Sequence, residues 1–258
     1  MRNGLFKNNL SLTQKICLTG LLIAVVTILQ KVLAINYIPI IPFLRISLGG
    51  PAVIIFSSIF LGPLYGLFIG AASDVLGYFL LDPKMMGYLP QITIIYSALG
   101  FFSFFVFAIF KVIKNHIISL IAELITFLGL FVFVTVFVFT RNNLHLYSQT
   151  YALELWQKIL ICTSMLLLLV FLFISSILFE KKYKKDTLPI SPINISISCF
   201  FVELIIMVIL GSIMKGSAFG FQTYMMILVC QIIVMFINVP LNTWLLILLL
   251  RITNRFNK

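Results

Sequence analysis

Long apolar runs alternate along this chain with short joints made of polar residues, glycine and proline. After a brief basic opening, positions 16–35 supply the roughly 20 apolar residues that a helix needs to cross a bilayer. Further runs follow at 46–61, 63–81, 90–113, 117–139, 157–179, 194–214 and 224–250, so the pattern predicts about eight membrane helices. The second run is short. Pro39 and Pro42 oppose helix in the first joint, and only Gly62 and Pro63 separate the second run from the third. Gly62 suits a left-handed helix end and Pro63 the first turn of the next helix, which predicts a tight break there. The joints at 141–154 and 215–221 read as polar loops, and Pro240 inside the last run predicts a kink. The fold expected is all-α: a polytopic transmembrane helical bundle forming one integral membrane domain over 1–258.

Composition agrees with that pattern. The chain is 62% hydrophobic and 10% charged, whereas soluble domains run about 45–50% apolar and about 25% charged. Its basic excess, 18 Lys+Arg against 7 Asp+Glu, needs no nucleic-acid partner, because no soluble segment is long enough to form such a domain. Membrane topology accounts for it instead. With the N-terminus inside, Lys31, Arg45, Lys84, Arg141, Lys158 and Lys215 fall at outer ends and the other twelve basic residues at inner ends, which favours cytoplasmic termini. The first run is longer than a secretory signal's apolar region and lacks a small-residue cleavage site, so it reads as a retained helix. Cys17, Cys162, Cys199 and Cys230 all sit in apolar runs without metal or redox spacing and read as small hydrophobes. His145 has no second ligand nearby. No cofactor or metal is expected.

Within 45–88 the sequence is unusually ordered. Gly62, Gly66, Gly70 and Asp74 recur at steps of four, one above another on a helical face. Small residues so spaced let membrane helices approach closely. A carboxylate continuing the stripe must face a packed or wet interior, where it either meets a ligand or braces the core. Glu123 and Glu203 also fall in apolar runs, without an evident partner in sequence, and read as packing or snorkelling groups. Elsewhere the chemistry is sparse. Gly211-Ser-Ile-Met-Lys-Gly216-Ser217 has P-loop glycine spacing, but a serine stands where the lysine belongs and no strand precedes it. No HExxH or GxSxG is present. Nothing in the chain would hydrolyse ATP.

Arg45-Ile-Ser-Leu-Gly-Gly-Pro, then Leu61-Gly-Pro-Leu-Tyr-Gly66, then Gly70-Ala-Ala-Ser-Asp74-Val-Leu-Gly77 together resemble the substrate-binding (S) components of energy-coupling factor (ECF) vitamin transporters. The order of these motifs is most similar to the folate type, since the riboflavin type would want acidic residues near the start of the second run. The likeness covers 16–115, and more weakly 194–250. It implies a six-helix core that captures a vitamin from outside and delivers it to a transmembrane coupling subunit driven by two ATPases. Positions 117–180 would then be an inserted helical hairpin. On this resemblance Arg45 pairs with a ligand carboxylate, with Asp74, Tyr37, Tyr88, Gln91 and Gln231 as further ligand contacts. Gln231 stands where a basic residue is common in the folate type. Gly20 and Ala24 fall on the family's small-residue motif for docking the coupling subunit. Rival readings are an S component for another vitamin such as riboflavin or pantothenate, a lipid-acting membrane enzyme, and an assembly factor without a small-molecule ligand.

Overall fold

The computed structural model describes residues 5, 10–34, 47, 49–81, 88–113, 116–141, 143–146, 149–152, 154–183, 188, 190–220 and 224–256. Its first helix, α1 (Leu12–Thr27), opens on a capping box in which Ser11 and Gln14 satisfy each other's backbone donors. It continues into a π turn, Ile28–Val32. Then come α2 (Gly50–Leu61), α3 (Pro63–Leu81), α4 (Pro90–Val112) and α5 (His116–Thr140). A two-stranded hairpin, β1 (Asn143–Leu146) with β2 (Gln149–Ala152), leads to α6 (Leu155–Tyr183). The last third holds α7 (Pro192–Val202), a π segment (Glu203–Leu210), α8 (Gly211–Phe219) and α9 (Tyr224–Phe256).

The expected helical membrane bundle is present, with seven helices among the described residues long and apolar enough to cross a bilayer, against eight runs expected; the second run forms only the short Gly50–Leu61 helix. Two local expectations change. The 141–154 joint carries an antiparallel ladder running from Asn143↔Ala152 to Leu146↔Gln149, which satisfies backbone groups that a polar loop would leave to water. The joint expected from Lys215 onward is helical as far as Phe219. Helix α9 includes Pro240 within its span, and two π segments interrupt regular helix elsewhere.

Helix α2 differs from the rest. Its 12 residues are all buried, yet at 1.5 Å per residue it is only about 18 Å long, against a hydrocarbon core of about 30 Å. It is an internal helix, wrapped by α1, α3, α4 and α9. Gly49 (φ 84°) and Gly62 (φ 116°) bound it. Gly62 takes a backbone angle that other residues rarely adopt, which lets Pro63 start α3 at once. One apolar cluster joins α2 to Leu22 and Val26 of α1, Leu99 and Phe107 of α4, Cys199 of α7 and Leu246 of α9. A second joins α5 and α6 to α7 and to the α9 stretch from Met226 to Val239. Helices α7 and α9 thus serve both cores.

Hydrogen bonds gather several helix ends at one end of the bundle. The Leu5 amide donates to the Ile59 carbonyl at 2.8 Å, and Lys111 Nζ donates to the Leu5 carbonyl at 3.0 Å. Asn194 Nδ2 donates to both Phe110 and Ile113 carbonyls at 2.9 Å, tying α7 to the end of α4. Leu5 also packs on the apolar cluster around α2.

The glycine stripe of α3 faces α4 at backbone distance. A Cβ added at Gly66 would lie 2.5 Å from the Gly100 carbonyl oxygen, and one at Gly70 would collide with the Tyr96 carbonyl. Among the described residues, nothing lies within 4 Å of the missing Cβ of Gly20 on α1. Gly70→Ala should therefore destabilise the protein by about 1–3 kcal/mol, the usual cost of overpacking, whereas Gly20→Ala should stay within about 0.5 kcal/mol of the parent. Melting of the two variants in detergent, side by side, checks the contrast; equal melting would remove the close α3–α4 approach from the account.

Candidate functional site

The carboxylate that ends the glycine stripe has three helices around it. Asp74 is buried on α3, and Lys31, on the π turn that extends α1, reaches it with Nζ 3.7 Å from Oδ1. The two side chains are 5% and 8% exposed, so this is an interior ion pair. Gly77 makes the approach possible: a Cβ there would lie 2.7 Å from Lys31 Cε and 2.8 Å from Cγ. One turn earlier, Thr27 Oγ1 donates to the Ile23 carbonyl at 2.8 Å and lies 3.4 Å from that of Ser73, seating α1 on the same α3 face.

The other carboxylate oxygen turns to α4. Thr93 Oγ1 donates to Asp74 Oδ2 at 2.6 Å, and the Tyr88 hydroxyl lies 2.5 Å from Thr93 Oγ1. Thr93 has a single hydroxyl hydrogen, already directed at Asp74, so Tyr88 is the donor to Thr93. The Tyr88 ring rests against Tyr78 and Phe79, with centroids 5.3 Å and 6.0 Å away. Tyr88 and Thr93 also edge an open recess of about 390 Å³, whose other walls include Pro90, Ser97, Phe101 and Phe102. That is within the size range of small-ligand pockets, and its lining is likewise mostly apolar with a few polar groups.

Of the residues expected at a ligand site, the structure brings Asp74 and Tyr88 together through Thr93. Gln91 is half-buried at the start of α4, and its Oε1 has no hydrogen-bond partner among the described residues. Gln231 is half-buried on α9, beside residues of the second core, and does not join the Asp74 network. Arg45 and Tyr37 lie outside the described residues. Gly20 and Ala24 are exposed on one face of α1.

Two participants escaped the sequence reading. Lys31 counted there as an outer flanking charge, but it is buried and paired. Thr93 carried no signal at all. For Lys31 a signal existed: a cation inside the first apolar run and an anion inside the third are each costly alone in a membrane and natural partners. Glu123 and Glu203, which lacked evident partners in sequence, have them in space. Ser196 Oγ donates to Glu123 Oε1 at 2.7 Å, and Asn242 Nδ2 donates to Glu203 Oε1 at 2.6 Å. No group of three or more His, Cys, Asp or Glu side chains is placed to hold a metal among the described residues.

Removing one member of the pair should be worse than removing both. Lys31→Met leaves Asp74 uncompensated in the interior, a change that costs about 3–5 kcal/mol for buried pairs. Adding Asp74→Asn should recover most of that loss. Melting temperatures of the single and double variants check it; a double variant no more stable than Lys31→Met would mean the two charges do not depend on each other.

Residues 10–185 match the family model described as ECF-type riboflavin transporter, S component. No curated protein and no solved structure matches the chain. The matched stretch is well over half of the 258 residues and includes Lys31, Asp74, Tyr88 and Thr93. It carries the expected S-component class but not the folate type within it. Subunits of this class take a vitamin as substrate and work with the transmembrane and ATPase subunits of an ECF module. The chain belongs to the ECF-type riboflavin transporter S-component family, and is a multi-pass membrane subunit for vitamin capture, not an enzyme.

Proposed function

We propose that this subunit captures a vitamin of the riboflavin type at the bundle end away from its termini, and that both termini are cytoplasmic. The family match over 10–185 carries the ligand assignment. The excess of basic residues at the inner ends of the runs supports the orientation. In that orientation Tyr88 and Gln91, at the start of α4, face the side from which the vitamin arrives. An exposed aromatic ring beside a largely apolar recess suits a flat heteroaromatic ligand, which stacks well and needs few polar anchors. Asp74 acts as a brace for the core, because Lys31 and Thr93 already engage both of its oxygens.

A folate-like vitamin is the second reading. It rests on the run from Arg45 through Gly77, whose motif order is that of folate-type S components, and on an arginine available to a ligand carboxylate. The two ligands differ in a useful way: folate carries a glutamate tail, and riboflavin has no carboxylate for Arg45 to pair with. Helices α5 and α6 pack as a pair on α7 and α9, which supports reading 117–180 as an addition to a six-helix core. Gly20 and Ala24 offer a surface for the coupling subunit, supported by their exposure and by the empty space around Gly20.

Titration of the purified protein with riboflavin, folate and thiamine tests the ligand class. Riboflavin should bind most tightly, with Arg45→Ala changing its affinity by less than about twofold. If folate binds most tightly and Arg45→Ala weakens it by about 1.5–3 kcal/mol, the range for a charged hydrogen bond, the folate reading replaces this one. For the docking surface, Gly20→Leu and Ala24→Leu should leave vitamin affinity near the parent's while preventing co-purification with the coupling subunit, because a large side chain blocks close helix approach. Loss of binding and of association together would place the pair in internal packing instead.

A further inference from the structure

We propose that Lys31, Asp74 and Thr93 are positioning residues that fix the Tyr88 phenol as an aromatic wall of the vitamin entrance. The inference rests on the reading above for the identity of what meets the ring. The hydrogen-bond chain itself does not depend on that reading.

Three observations combine. First, direction is set at every step. Lys31 faces Asp74 Oδ1 at 3.7 Å, Thr93 donates to Oδ2 at 2.6 Å, and Tyr88 donates to Thr93 at 2.5 Å. A hydroxyl bonded on both sides has lost its rotational freedom, and a phenol donating to it is held in one place. Second, Tyr88 behaves unlike an ordinary tyrosine at a membrane boundary. Such residues turn the ring to the apolar side and the hydroxyl to water or headgroups. Here the hydroxyl points inward to Thr93 while the residue stays 36% exposed, so the ring and not the polar tip is on offer. Third, the ring is braced sideways by Tyr78 and Phe79, and it forms part of the wall of the 390 Å³ recess. A stacking surface held before the ligand arrives spares the cost of ordering it on binding.

Lys31 has an indirect part. Its charge offsets that of Asp74, which leaves the carboxylate an acceptor for Thr93 in an apolar surrounding. Gly77 admits the lysine stem, so a residue of the glycine motif contributes to the entrance without touching it.

The test uses the full chain in detergent, riboflavin as the probe, and flavin fluorescence as the signal. Thr93→Val and Tyr88→Phe should each weaken binding by about three- to tenfold, the equivalent of one hydrogen bond. Because they break one link, the double variant should be no weaker than the weaker single variant. Thr93→Ser, which keeps the hydroxyl, should restore binding relative to Thr93→Val, and Tyr88→Phe, which leaves the Thr93–Asp74 bond in place, should keep the parent's melting temperature. The pair is examined with both charges removed: Lys31→Met/Asp74→Asn keeps an acceptor for Thr93 and should bind more tightly than Lys31→Met/Asp74→Leu, which does not. Parent-like binding by Thr93→Val, or a double variant weaker by the product of the singles, overturns the proposal; the latter result would mean an interfacial tyrosine acting alone. If the parent protein binds neither riboflavin nor folate, the ligand reading falls separately. Nitration of Tyr88 by tetranitromethane, mapped by mass spectrometry, then decides the relay without a ligand. Faster nitration in Thr93→Val than in the parent and Thr93→Ser supports it, and equal rates overturn it.

Discussion

The ion pair between Lys31 and Asp74 ties the end of α1 to α3 in the interior of the bundle. Charges inside an apolar assembly are costly, and attraction between them repays the loss only when geometry and further hydrogen bonds are good. Here Thr93 supplies the further bond to Asp74. The apolar contacts between α1 and α3 are non-directional and would tolerate sliding or rotation. A lysine that must find one carboxylate through the gap left by one glycine does not. Replacing the pair by well-packed apolar residues would hold the helices together as firmly in many proteins. What the pair adds is a defined position for the end of α1 and, through Thr93, for the start of α4.

That position depends in turn on how closely α3 is approached. Its glycines lie one above another on a single face, but they serve different neighbours. Gly66 and Gly70 bring α4 to backbone distance, while Gly77 admits the Lys31 stem. Close approach to α4 is what puts Thr93 within 2.6 Å of Asp74. With larger residues at 66 or 70, α4 would stand off by more than the length that a hydrogen bond tolerates. The internal helix α2 completes the arrangement from behind. Ser58 lies against Gly66, and Gln30, next to Lys31 in sequence, lies against Gly50 at the head of α2.

Much of this was legible in the sequence because membrane helices announce themselves by length and apolarity. The break at Gly62-Pro63 and the bounds of α3 were readable to the residue, since a glycine free to take a positive φ followed by a proline suited to a first helical turn has few alternatives. The stripe and the burial of Asp74 were readable from the step of four. The partners of Asp74 were not, because they come from helices whose rotation no single-chain pattern fixes. Lys31 sits near the end of an apolar run, where a snorkelling flank and a buried partner look alike. The π turn at 28–32 shifts its direction relative to regular helix, and nothing in the letters marks that turn. The hairpin at 143–152 was missed for a different reason: Asn-Leu-His-Leu and Gln-Thr-Tyr-Ala alternate over only four residues each, too short to distinguish from loop. The family likeness found the S-component class through residues 45–77 but chose the folate type, where the family match names riboflavin. The lack of acidic residues near α2 does not by itself assign the vitamin, since ligand contacts are only a handful of side chains on a shared scaffold.

The two sides of α1 show how such a scaffold divides its work. One side carries Leu22, Val26, Thr27 and Lys31 and is fixed against α2 and α3 by burial and by charge. The other carries Gly20 and Ala24, both exposed, and a Cβ at Gly20 would meet nothing within 4 Å among the described residues. Gly20 and Lys31 are 11 positions apart, about 16 Å along the helix. A shift of α1 along its axis would carry both positions together, since helices transmit shifts along their axis with little compression. Small residues on the exposed side impose no steric demand of their own. The position of that face is therefore dictated wholly by the buried one. In this molecule the polar contacts around Asp74 and the exposed surface farther down α1 are not independent features, because the same helix presents both.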